Sequence, residues 1–121
     1  AGNATDFGNL TDGRDFVFGS SSSTRGVMGG GRTPSNTNII DFITIASEGN
    51  ATDFGDLLSA TYYNAATGNS TRAVWVGTPS ITNTMEYVTI ATTGNSVDWG
   101  DQGGTIHHSG GACSDSHGGL S

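Results

Sequence analysis

The chain has 121 residues, enough for one domain with a core of its own, yet only 33% are hydrophobic, so that core is thin. Four arginines and no lysine stand against eleven acids; the net charge of −7 excludes nucleic acid and anionic membranes as main partners, because phosphate binding needs clustered cations. No stretch approaches the ~20 apolar residues that cross a bilayer, which argues against membrane insertion, and the single Cys113 excludes an internal disulfide.

In chain order, Ala1 stands where an initiator Met or a signal peptide would, so the chain reads as processed or cut from something longer. Gly2–Leu10, GNATDFGNL, opens on a Gly-Asn turn pair, and its TDFG core is a short strand or a tight turn. Asp15–Gly19, DFVFG, reads as a short strand, and Arg25–Gly31, RGVMGGG, as another that ends in a glycine turn. Asn38–Ala46, NIIDFITIA, turns Ile39, Asp41, Ile43 and Ile45 to one face and Ile40, Phe42, Thr44 and Ala46 to the other. Both faces are largely apolar or β-branched, which predicts a strand covered on both sides. The same series then recurs: GNATDFGDL from Gly49, YYNAA from Tyr62, RAVWVGT from Arg72 and TMEYVTIA from Thr84. A worn third copy, GNSVDWGDQ, begins at Gly94. No stretch combines a helical period with caps.

The copies keep strict spacing. Phe7 and Phe54 stand 47 apart, as do Arg25 and Arg72; Asp41 and Glu86 stand 45 apart, as do Phe54 and Trp99. A two-residue slip in the Gly-rich turn near Gly30–Arg32 accounts for the change, and turns are where insertions are tolerated. The chain therefore holds unit 1 (2–48), unit 2 (49–93) and a truncated unit 3 (94–121), forming one repeat domain. A period of this size marks a solenoid, a propeller or an array. Four short strands per unit with both sheet faces covered predict β-propeller blades, each packed on its neighbours, with the repeated phrase as connector and outer edge.

The residues resemble kelch-type blades: Gly29-Gly30, Phe42, Phe54 and Arg14 stand in a similar order, while unit 2 keeps one glycine of the pair, Gly77, and has Thr61 at the place of Arg14. At the level of phrases the chain resembles the kelch-like "GNATDFGDL" repeat proteins of tailed bacteriophages. Ser23–Gly31, Thr33–Ser35, Asn38–Ser47 and Gly49–Leu57 carry the matching wording, and Cys113–Ser121 is similar to the C-terminal wording of that family. The resemblance covers nearly the whole chain. It implies a virion structural or host-contact component, or an extracellular fibre, and carries over no catalytic residue.

Candidate sites are few. His107, His108, Cys113 and His117 offer metal-ligand chemistry, but the H-H-x4-C-x3-H spacing fits no standard zinc site, and the repeat places them at Tyr62, Tyr63, Gly68 and Arg72 of the previous unit. Asp53 and Asp56, with Asp6 and Asn9 before them and Asp98 and Asp101 after, offer oxygens for calcium; the three-residue step suits turns in which a carboxylate accepts backbone N–H groups better than a calcium loop. Arg25 and Arg72 share one place in both full units and read as contacts between blades, to carboxylates or carbonyls, or else as ligand contacts. Trp75 and Trp99 are candidate stacking platforms for sugar or contacts between subunits. Asn3, Asn9, Asn50 and Asn69 lie in sequons that take glycans only in a eukaryotic secretory route. No nucleophile sits in an elbow-like context and no base is oriented beside Cys113, so no enzyme and no cofactor is expected.

A propeller closes with about four blades or more, and two and a half units are too few. Exposed strand edges seek another chain. The expectation is a homo-oligomer, either a trimer or a helical filament, acting as a structural or adhesive subunit in a virion or outside the cell, with a host-surface glycan as a further partner. A strand-sharing extracellular filament and a carbohydrate-binding propeller are the alternatives.

Overall fold

The computed structural model describes residues 2–62, 65–77 and 83–104, and every regular element in them is a β-strand. They form two antiparallel four-stranded sheets. The first runs β1 (Phe18–Ser21), β2 (Arg25–Gly29), β3 (Thr37–Thr44) and β4 (Thr52–Thr61), in that spatial order. The second runs β5 (Ala65–Gly68), β6 (Arg72–Val76), β7 (Thr84–Thr89) and β8 (Val97–Asp101). The all-β class follows from the period-2 runs and the glycine turns between them.

The sheets repeat each other in register. β3 pairs Ile39 with Asp56, Ile40 with Gly55, Asp41 with Asp53 and Phe42 with Thr52. β7 pairs Thr84 with Asp101, Met85 with Gly100, Glu86 with Asp98 and Tyr87 with Val97, the same partners 45 residues on. Each ladder skips one residue, Phe54 in β4 and Trp99 in β8, which makes a bulge that re-aims the aromatic side chain. The Asp-aromatic-Gly core of the phrase builds that bulge. Asp53 Oδ1 accepts the Gly55 N–H at 3.1 Å, and Asp98 Oδ1 accepts the Gly100 N–H at 2.8 Å.

Two expectations shift. Of the two alternatives for the phrase, the strand holds and the tight turn does not: in unit 2 it opens the ten-residue edge strand β4, longer than expected. Each sheet thus takes its fourth strand from the repeat that follows, and the sheets straddle the sequence units. The strand expected at Asp15–Gly19 starts at Phe18, because Phe16 has φ 55° and breaks the extended run; Asp15 makes only an isolated bridge to Arg32. In unit 2 the matching strand is described over Ala65–Gly68.

One core lies between the sheets. Val27 and Ile40 from the first sheet and Ala73, Trp75 and Val88 from the second form it, with Phe54 and Leu57 of β4 and with Ile90 just past β7. The two-sided cover expected for the central strands holds at the middle of β3, where the adjacent Ile40 and Asp41 are both fully buried. In β6 three consecutive residues, Ala73, Val74 and Trp75, are buried.

Candidate functional site

The joint between the two sheets is built from residues at positions that repeat along the chain. Arg25, on β2, lies over the Phe42 ring at 4.6 Å and reaches across to the second sheet, where Nη1 donates to the Ile90 and Ala91 carbonyls at 3.1 and 3.0 Å. Of the carboxylate, carbonyl and ligand contacts considered for this arginine, the carbonyl contact is the one seen within the chain, and its charge strengthens both bonds.

The phrase supplies the second part of the joint. Gly94 N donates to Phe54 O and Ser96 N to Asp56 O, each at 2.8 Å, while Asp56 N donates to Asn95 Oδ1 at 3.0 Å. The earlier copies repeat this: Gly49 N donates to Phe7 O at 2.9 Å, Ala51 N to Asn9 O at 2.8 Å, and Asn9 N to Asn50 Oδ1 at 3.0 Å. Glycine is required at the crossing. A Cβ on Gly55, whose φ is +148°, would sit 2.4 Å from the Gly94 carbonyl oxygen, and one on Gly8 would sit 2.2 Å from that of Gly49.

A buried carboxylate is the third part. Asp41 and Glu86 occupy the same place in β3 and β7 and are 0% and 3% exposed. Glu86 Oε2 accepts Leu58 N at 2.7 Å and the Ser96 hydroxyl. Asp41 accepts Thr11 N at 3.1 Å and Thr11 Oγ1 at 2.6 Å, and it pairs with Arg14 at 2.9 Å, both side chains being fully buried. Sequence reasoning matched Asp41 with Glu86 as a repeat position but assigned them no role. The available signal was an acid set at the same place inside two otherwise apolar strands.

The other expected residues fall as follows. Trp75 is not a surface platform: it is fully buried between the sheets, its Nε1 donates to Phe18 O at 3.1 Å, and Gly29 leaves room for its ring. Burial on both faces of β6 puts it in the core. Trp99 is 53% exposed, packs edge-on against Tyr87 at 5.8 Å and lies 5.8 Å from the Arg72 guanidinium. Arg72 sits over Tyr87 at 4.6 Å, as Arg25 does over Phe42. The acids proposed for calcium act as turn acceptors at Asp6, Asp53 and Asp98, each to the N–H two residues on. Among the described residues no group of three or more His, Cys, Asp or Glu side chains gathers; His107, His108, Cys113 and His117 lie outside them. Asn3, Asn9, Asn50 and Asn69 are all exposed. Asn50 Oδ1 accepts Asn9 N of the first phrase, and Asn69 Oδ1 holds the β5–β6 turn through Thr71 N and Arg72 N.

Each sheet also carries a shallow cleft at matching positions. The first, of 180 Å³, lies between Phe42, Thr44 and Glu48–Asn50; the second, of 230 Å³, between Tyr87, Thr89 and Thr93–Asn95. The joint residues at the outer faces of the pair are open where their counterparts are covered. Ile90 is 1% exposed and Ile45, its match, 44%; Phe54 is 3% exposed and Trp99, its match, 53%. No protein-family model matches the chain, and no curated protein matches it significantly.

Proposed function

We propose that this chain is a non-enzymatic structural and adhesive subunit whose sheets stack as kelch-like blades in a larger homo-oligomeric assembly, in keeping with the phage virion role that its phrases imply: a tail fibre, fibre tip or decoration protein. The observation that carries the reading is the opposite exposure of matched residues. Ile45 and Trp99 present to solvent the same surface that Ile90 and Phe54 bury in the internal joint. Apolar side chains left open at both ends of a stack favour continuation of the stack. Native mass measurement with direct imaging of particles tests it: a multiple of 12.3 kDa in a ring or fibre is expected, and a stable monomer at every concentration overturns it. A strand-sharing extracellular filament is the same reading without a virion, and the source of the imaged particles separates the two.

A second reading rests on the paired clefts. Tyr87 lines the cleft along Gly94–Asn95 and carries the exposed Trp99 packed edge-on against it, an aromatic pair that suits a stacked sugar ring. Quenching of Trp99 fluorescence on a glycan panel, lost in Trp99→Ala, tests that role; no saturable quenching on any glycan removes it.

A further inference from the structure

Resting on the assembly reading, we infer that the Arg72–Trp99 face of the second sheet is a docking surface for the Ile45–Gly49 turn of a second copy of this chain, and that the first phrase is a placeholder which that docking displaces. The partner is identified by the internal joint. Arg25 spends its guanidinium on the carbonyls of Ile90 and Ala91. Arg72 holds the matching place over Tyr87, is exposed, and has no such carbonyl among the described residues. The residues that match Ile90 and Ala91 are Ile45 and Ala46, both exposed. The exposed Ile45–Ala46 and the exposed Arg72–Trp99 face are therefore the two halves of a joint the chain already makes once.

The phrase copies complete the docking. β8 repeats the register of β4, so Trp99 O and Asp101 O point outward as Phe54 O and Asp56 O do. Those two accept Gly94 N and Ser96 N, and the matching donors on the second copy are Gly49 N and Ala51 N. In the single chain these donors are held by Phe7 O and Asn9 O. Residues 2–9 are exposed throughout, so the third phrase of one copy replaces the first phrase of the next with little apolar burial to undo.

Glycine substitutions separate this from other modes of association. Among the described residues a Cβ on Gly100 meets no heavy atom within 4 Å, so within the chain the substitution carries only the backbone strain of its φ of +131°, yet in the docked pair it meets the second copy's Gly49 carbonyl, as one on Gly55 would meet Gly94. A Cβ on Gly8 clashes with Gly49 O at 2.2 Å and dislodges the first phrase. The test is sedimentation of the full chain and its variants over a dilution series, with far-UV circular dichroism and the emission of the buried Trp75 checking the fold. Gly8→Ala strengthens association. Gly100→Ala abolishes it. Arg72→Ala weakens it about tenfold or more, through loss of charge-assisted bonds. Association unchanged in both Arg72→Ala and Gly100→Ala overturns the docking surface and leaves the assembly reading standing. Weaker association in Gly8→Ala overturns the placeholder, because the first phrase is then the adhesive. A chain monomeric both as wild type and as Gly8→Ala removes the docking surface and the assembly reading together. Association that follows the variants in a chain missing from virions removes only the virion role.

Discussion

Replacing Arg14 with Ala removes the cation from a carboxylate that has no route to water. Both side chains of the Arg14–Asp41 pair are fully buried, with N and O 2.9 Å apart. Breaking such a pair from one side costs about 3–5 kcal/mol, because the remaining charge is buried without compensation. Asp41 would keep its two bonds from Thr11, which places the cost near the lower end, about 3 kcal/mol. With a urea dependence of about 2 kcal/mol per molar, the unfolding midpoint falls by about 1.5 M. Trp75 reports the transition through its emission, since it lies fully buried between the sheets and is wetted only when they part. The second sheet offers a comparison: Glu86 is buried at the same place, with Thr61 where Arg14 stands, and among the described residues it accepts from Leu58 N and Ser96 Oγ. Adding Asp41→Asn to Arg14→Ala removes the charge and should restore more than half of the lost midpoint. A midpoint within about 0.3 M of wild type for Arg14→Ala would refute the reasoning, since it would mean that the pair is solvated or worth no more than a surface bridge.

Other substitutions test the core and the joint. Gly29→Ala puts a Cβ 3.0 Å from the Trp75 ring and should cost about 1–3 kcal/mol by overpacking, read as a lower urea midpoint with a red-shifted Trp75 emission. Trp75→Phe at the same time should relieve that cost, and a further loss in the double variant counts against the contact. Ile90→Asp should unfold the chain, because the side chain is 1% exposed, while Ile45→Asp at the matching 44% exposed position should leave circular dichroism unchanged and abolish association. Equal effects of the two on folding would show that the outer face is packed within the monomer.

Much of the strand plan was legible in the residues. The period-2 runs located β2, β3, β6 and β7, the glycine turns bounded them, and the spacing of 45 and 47 residues announced two equivalent sheets. Arg25 was legible as a contact between repeats because an arginine recurring in a chain with four cations has a specific partner to find. The phrase was legible as a short fourth strand or a tight turn but not as one of the two, since an Asp-Phe-Gly bulge and a plain turn share the same residues and differ only in whether a strand runs alongside. The role of Trp75 also lay beyond the sequence. The pattern around it fits a platform or a core equally, and the arrival of Phe18 and Gly29 from the other sheet makes it core.

What the sequence by itself determined is the local extended geometry, the positions of the turns and the equivalence of the copies, because side-chain alternation and backbone freedom are properties of neighbouring residues. What only the tertiary structure decided is which copies of an equivalent residue are buried. Ile90 and Ile45, or Phe54 and Trp99, have the same local setting and opposite exposure. The difference is made by a sheet contributed from tens of residues away, and desolvation is set by what packs against a side chain, not by what precedes it in the chain.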